Sequence, residues 1–231
     1  TFTGAKAALR PGNEADTTAV TLNVKWDISD ALSLTSITGF RDTNHEFLVD
    51  SGGDLPRVTT TRGFTPLANI GSHDQVSQEF KLNGSALSDT LTWVAGAYWL
   101  SEDNVTDFAN ANTTLPANVF SVVAVSLKKK GLDTYAFYAQ GDWQFADSRT
   151  ATLGLRYKDE KPDFAIDRNP GAAGVALSTA AIAAAGIPLE LTEQVWTPRV
   201  ALNYAINNDV SFFVSATNGF KSGGWPARAT A

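Results

Sequence analysis

The chain has 231 residues, of which 43% are hydrophobic and 18% charged, with a formal net charge of −6. That acidic balance argues against a nucleic-acid partner, which would need a clustered basic surface, and the one basic run, Lys128-Lys129-Lys130, reads as a short solvated loop before a strand rather than as an anion or lipid-headgroup contact. With no cysteine, disulfides, thiolate metal sites and thiol nucleophiles are excluded, and no apolar run is long enough to cross a bilayer as a helix.

In chain order, the first strand is predicted at about Thr18 to Ile28. Val20, Leu22, Val24, Trp26 and Ile28 share one face, and Thr21, Asn23, Lys25 and Asp27 the other. Ser29-Asp30-Ala31 makes a tight turn. A second strand, about Leu32 to Arg41, sets Leu32, Leu34 and Phe40 against Ser33, Thr35 and Arg41, and a long connection from Asp42 to Asp74 follows. The third strand, about Gln75 to Leu82, places Val76, Phe80 and Leu82 opposite Ser77, Glu79 and Lys81, and Asn83-Gly84-Ser85 begins another short turn. In the fourth, about Leu91 to Ser101, both faces are apolar or small, so periodicity does not assign its facing.

A second long connection spans about Glu102 to Leu132. The fifth strand, Tyr135 to Phe145, carries the clearest alternation, with Tyr135, Phe137, Trp143 and Phe145 on one face and Tyr138, Gln140, Asp142 and Gln144 on the other. After the short turn Ala146 to Arg149, the sixth strand opposes Leu153, Leu155 and Tyr157 to Thr152, Gly154, Arg156 and Lys158. The third long connection, about Asp159 to Glu193, holds an Ala-rich stretch in which Ser178 caps a short helix that Gly186-Ile187-Pro188 stops. The seventh strand, about Gln194 to Ala205, includes Pro198, which cannot donate to a ladder and suggests an edge or bulge. Beyond Asn207-Asn208-Asp209, the eighth runs from about Val210 to Lys221.

Two-faced strands of about ten residues, joined alternately by short turns and long loops, are the pattern of a transmembrane β-barrel with periplasmic turns and extracellular loops. The predicted fold class is therefore all-β, an antiparallel meander of about eight strands in an open or partly closed sheet. Aromatic residues near the strand ends, among them Phe40, Trp99, Tyr135, Phe145, Tyr157, Trp196, Tyr204 and Phe220, suit the headgroup level. A chain that starts Thr1-Phe2-Thr3 and contains no Met reads as an internal piece of something longer.

Five segments are similar, in order, to recurring segments of the TonB-dependent outer-membrane receptors. They are Leu34-Thr-Ser-Ile-Thr-Gly-Phe-Arg-Asp42, Gln75-Val-Ser-Gln-Glu-Phe-Lys-Leu82, Trp93-Val-Ala-Gly-Ala-Tyr98, Thr197-Pro-Arg-Val-Ala-Leu-Asn-Tyr204 and Asn218-Gly-Phe-Lys-Ser-Gly-Gly-Trp225. The resemblance implies a barrel of about twenty-two strands with a plug inside it and a box that binds the energy-coupling protein TonB. Residues 1–231 then read as a partial barrel domain, since neither plug nor coupling box is recognisable. Its expected location is the bacterial outer membrane, and its expected partners are outer-membrane lipid, the plug of the same receptor, the TonB system acting through that plug, and a transported small ligand such as a ferric siderophore.

No catalytic arrangement stands out, the nucleophile-elbow motif is absent, and no pattern demands a cofactor, so the chain is not read as an enzyme. His45 and His73, with Asp42, Glu46, Asp50 and Asp74 nearby, are read as unliganded histidines, because their spacing is not that of a metal site. The candidate functional residues are the charged and polar ones opposite the apolar face: Lys25, Arg41, Glu79, Lys81, Gln140, Asp142, Arg156, Lys158, Arg199 and Lys221. Charge on the lipid face would cost about 2 to 4 kcal/mol for Arg or Lys at mid-bilayer, which selects the inward assignment, toward lumen and plug. The loop aromatics Phe47, Phe64, Phe108 and Phe120 are candidates to cover a ligand. Two other readings carry different expectations. A self-contained eight-stranded structural or adhesive barrel would close with a filled interior, and a soluble carbohydrate-binding sandwich would pack its apolar face on a second sheet.

Overall fold

The computed structural model describes residues 12–50, 66–114, 119–169 and 177–225. Its strands are β1 (Gly12–Ser29), β2 (Leu32–Asp50), β3 (Pro66–Ala86), β4 (Leu91–Thr114), β5 (Val119–Ala146), β6 (Arg149–Asn169), the short β7 (Leu177–Ser178), β8 (Glu193–Ala205) and β9 (Ser211–Thr217). Each long strand pairs antiparallel with its neighbours in the order β1-β2-β3-β4-β5-β6-β8-β9, and β7 adds two residues to β6. Along that path β1 and β9 are edges that do not pair with each other, so the sheet is open.

Three of the predicted turns hold, whereas the one expected to begin at Asn83 lies at residues 87–90 because residues 83–86 continue β3 in register with β4, and strands β1 to β6 are much longer than ten residues. Most of the segments expected to be long loops, 42–50, 66–74, 102–114, 119–132 and 159–169, continue the ladders, with Asp42↔Asp74, Asp103↔Gly131 and Lys130↔Phe164 among the paired positions. These stretches carry polar residues on both faces, so side-chain alternation fades while backbone pairing, which is indifferent to side-chain polarity, persists. Phe64, Gly52-Gly53 and Pro56 lie outside the described residues.

Register fixes every facing, including that of β4. Leu82 pairs with Ala95, Phe80 with Ala97 and Gln78 with Trp99, so Leu91, Trp93, Ala95, Ala97 and Trp99 join the apolar face, and Thr92, Val94, Gly96 and Tyr98 the polar one. The large side chains of the apolar face stand exposed on strand after strand, from Val20, Leu22, Val24 and Trp26 to Leu153, Leu155, Trp196 and Val200. A sandwich would bury them against a second layer, and the described residues form one sheet.

Two rows of aromatic rings bound this face. The row nearer the short turns includes Trp26, Trp93, Trp143, Phe145, Tyr204 and Phe212, with Trp143 and Phe145 5.7 Å apart. The other includes Phe40, Trp99, Tyr135, Tyr157 and Trp196, with Tyr157 and Trp196 at 4.8 Å. From Phe145 to Tyr135, at about 3.4 Å per residue and a tilt of about 40°, the band between the rows is about 25 Å tall, the height of a barrel's apolar belt. Polar side chains inside it bond to one another: Thr38 Oγ1 donates to Gln78 Oε1 at 2.6 Å, and Gln78 Nε2 to Ser36 Oγ at 3.0 Å. Each such group would cost several kcal/mol in hydrocarbon if left unpaired.

Just beyond the second aromatic row the apolar face turns acidic. Asp42, Asp74 and Asp103 lie side by side in register, and the Asp163 carboxylate leans over Gly131 in the same row. The Asp74 carboxyl is raised above its ordinary 3.8, first by its hydrogen bond with Asp42 and then by desolvation and repulsion.

One short helix packs against the far end of β6. Helix α1 (Thr179–Ala184) begins at Ser178, whose Oγ accepts from the Ala181 N–H at 3.2 Å, and it ends at Gly186, whose φ of 76° lies in the left-handed region. Thr179 Oγ1 bonds both the N–H and the carbonyl of Ile166, and Ile182 is buried. The last strand is shorter than predicted, because the Pro198 carbonyl accepts from the Asn218 N–H at 3.2 Å but its own nitrogen returns no bond. The β8–β9 ladder stops at Arg199↔Thr217, and Pro198 does mark an edge, in the upper part of β8 only.

Two outcomes are expected of the full-length protein in lipid vesicles. In denaturant titrations Leu155→Arg, on the apolar face, lowers stability by about 2 to 4 kcal/mol, and Gln140→Arg, on the polar face, by less than about 1 kcal/mol. Protonation of Asp74 stabilises the fold below the ordinary carboxylate value, and that contribution is lost as pH rises through the raised one. Asp74→Asn therefore raises the thermal midpoint at neutral pH and loses that advantage in acid, which a pH series of melting curves checks.

Candidate functional site

The candidate site is the polar face of the sheet. Alternation and register bring Lys25 (β1), Arg41 (β2), Glu79 and Lys81 (β3), Gln140 and Asp142 (β5), Arg156 and Lys158 (β6) and Arg199 (β8) onto it together. Lys221 is the exception. It follows the end of β9 at Thr217 and lies exposed in the non-strand segment 218–225, not on a strand as expected.

The centre of this face is a bridge across three strands. Tyr138 on β5 pairs with Gly96 on β4, and its Oη donates to Glu79 Oε1 on β3 at 2.7 Å. Gly96 leaves the gap the ring occupies, since a Cβ there would sit 2.4 Å from Tyr138 Cζ. The Arg156 guanidinium lies 5.9 Å from the same ring's centre, so a carboxylate, a phenol and a cation are stacked in one line. Sequence reasoning named Glu79 and Arg156 and missed Tyr138 and Gly96. The available signal was a tyrosine on the polar side of the most regular alternation.

Nearer the short turns, Thr152 Oγ1 donates to Asp142 Oδ1 at 2.5 Å and Gln140 Nε2 to Asp142 Oδ2 at 3.2 Å, while Lys25 pairs only with its neighbour Asp27 at 2.7 Å on open surface. Phe213, 74% exposed and in register with Asn203, lies on this polar face. The polar-face reading passed over it.

Toward the far end, Lys158 pairs with the buried Glu160, whose Oε2 also accepts from Ser222 Oγ at 2.8 Å, and the Phe220 ring lies 5.1 Å from Lys158 Nζ. Gly223 N–H donates to Glu193 Oε1 at 2.8 Å, and Trp225 stacks on Phe164 at 5.3 Å while bonding the Pro188 carbonyl. Segment 218–225 is thus pinned across β6 and β8. Arg41, Lys81, Arg199 and Lys221 form no ion pair among the described residues.

Of the aromatics expected in loops, Phe47 and Phe108 are on strands, each in register with Asn69, and Lys128 lies 6.0 Å over the Phe108 ring. Phe120 is in β5 opposite Thr113, and Phe64 lies outside the described residues. The histidines and their neighbouring carboxylates separate by strand parity. His45 stacks over Gly71 and His73 contacts Glu102 at 3.3 Å on the polar face, whereas Asp42, Glu46 and Asp74 share the opposite one. Among the described residues no three potential ligands converge on a metal position.

One sheet, apolar between two aromatic rows and charged on its other face, defines the wall of an outer-membrane type β-barrel. The sequence matches the family described as "TonB dependent receptor-like, beta-barrel" over residues 2–230, and the chain belongs to that family. Barrels of the family sit in the outer membrane of Gram-negative bacteria, and its members are transport receptors rather than enzymes.

Solved structures share the fold. The ferric yersiniabactin uptake receptor FyuA from Yersinia pestis superposes with a TM-score of 0.69 at 14% identity, covering 88% of this chain and 28% of its own. The siderophore receptor PiuA from Acinetobacter baumannii gives 0.66 at 11%, covering 88% and 32%. The ferric preacinetobactin receptor BauA from Acinetobacter baumannii gives 0.61 at 18%, covering 88% and 30%. The chain spans about a third or less of the length of these receptors.

A double-mutant cycle on Tyr138→Phe and Glu79→Gln is expected to show coupling of about 1 kcal/mol, below the range for a buried hydrogen bond to a charged group because the bridge is half-exposed. Gly96→Val loses as much stability as Tyr138→Phe, since the new side chain displaces the ring.

Proposed function

We propose that this chain is part of the wall of an outer-membrane receptor that takes up a scarce nutrient such as a ferric siderophore, driven through the TonB system. The observation that carries the reading is the open sheet with one face for lipid and one charged face. Unpaired strand edges are not tolerated in hydrocarbon, so β1 and β9 need further strands to complete a wall. A barrel wide enough for that leaves its charged face toward water, a plug or cargo. The fold likeness to three receptors described as siderophore or ferric-chelate receptors supports the choice of ligand class.

In this reading the barrel is scaffold and conduit. The Glu79-Tyr138-Arg156 bridge stiffens the inner wall, and the cations without ion pairs, Arg41, Lys81 and Arg199, remain available to acidic groups of a plug or an anionic chelate. Phe213 offers the plug an apolar contact near the periplasmic rim, while Phe47 and Phe108 sit on the extracellular extensions, where a ligand first arrives. Outer-membrane lipid covers the apolar face. The self-contained small barrel is disfavoured because its first and last strands would have to pair.

The test is uptake of radiolabelled iron from a panel of catecholate, hydroxamate and mixed-ligand ferric siderophores by the parent strain and a strain lacking the gene. Loss of uptake of one chelate, with the same loss when the proton gradient is collapsed, is the expected result. Equal uptake of every chelate by the two strains would sink the siderophore assignment. A full-length product that is monodisperse without detergent would sink the membrane reading itself.

A further inference from the structure

The apolar face is not uniformly covered by large side chains. Between the aromatic rows, a groove of about 460 Å³ runs across β4, β5, β6 and β8. Its floor is Ala139 and Gly141 on β5, where register pairs Trp93 with Gly141, Ala95 with Ala139, and Gly141 with Leu153. Small residues at the centre lie between Trp93 on one side and Leu153 and Val200 on the other.

Beyond the groove, toward the short turns, the same face carries a cation. Arg149, the first residue of β6, lies on the same face as Leu153, about 14 Å away at about 3.4 Å per residue. Its guanidinium lies 5.1 Å from the centre of the Tyr204 ring on β8. Among the described residues it forms no ion pair, and it is exposed. A cation on the lipid side of a barrel wall, at the level of the aromatic row and held by a ring, faces headgroups rather than protein.

We propose that this groove and Arg149 form a binding site for one anionic phospholipid of the periplasmic leaflet. The guanidinium takes the phosphodiester through paired N–H donors, and one acyl chain lies over Ala139 and Gly141. Position selects the occupant, because the short-turn end of a barrel is its periplasmic end, and an unpaired cation there complements a lipid phosphate. The proposal rests on the membrane reading above, but not on the identity of the transported ligand.

The test is native mass spectrometry of the full-length protein in detergent, titrated with phosphatidylglycerol. The unaltered protein is expected to retain one lipid. Arg149→Gln weakens retention at least tenfold, and Gly141→Leu does the same by filling the trough, since a Cβ at Gly141 has only ordinary contact, 3.4 Å, with Leu91 Cδ1. Ala139→Leu is a second filling variant should Gly141→Leu fold poorly. Lys129→Gln removes an exposed cation from the other end of β5 and leaves retention unchanged. Retention by Arg149→Gln or by a folded groove-filling variant equal to that of the unaltered protein overturns the site. A protein that needs no detergent overturns the membrane reading instead, so the two failures are distinguishable.

Discussion

A backbone that crosses hydrocarbon must satisfy every N–H and C=O within the protein, and the rest of this structure depends on that requirement. It makes the ladder continuous, and a continuous antiparallel ladder carries one strand's facing across to the next. From β1 to β9, a single parity sorts side chains into an apolar and a polar set without a second layer to bury either. Among the described residues few side chains are buried. Small buried clusters, such as Leu48, Ala68 and Ala109, lie on the far extensions, outside the aromatic rows.

The same continuity explains how polar chemistry is held. On the polar face, strands about 4.8 Å apart allow a long side chain to reach over a glycine to the second strand along, as Tyr138 does over Gly96 to Glu79. On the apolar face, polar groups persist only by bonding one another, as Ser36, Thr38 and Gln78 do. Where the apolar band ends, the aspartate row begins, and there Asp42 holds the Asp74 carboxyl above its ordinary value.

Much of this was legible in the residues. Alternation in Thr18–Ile28 and Tyr135–Phe145 assigned their faces correctly, three of the four tight turns fell where predicted while the one expected from Asn83 lies at residues 87–90, and Ser178 does cap the short helix. The inward set named from alternation lies on one face, apart from Lys221, because parity is conserved along a regular strand. The extensions, by contrast, were read as loops, since polar residues on both sides erase the periodic signal even though pairing continues. Tyr138 was visible as a tyrosine on the polar side, but its partner lies 59 positions away in the chain.

The sequence by itself determined the two-faced strands, their turns, the family and the absence of thiol chemistry, because these follow from local spacing and residue type. Only the tertiary structure decided the facing of β4, the length of the extensions, the Tyr138-Glu79 bridge and the stop at Pro198. Each of these depends on which backbone group of a neighbouring strand stands opposite, and a chain's own periodicity does not contain that register.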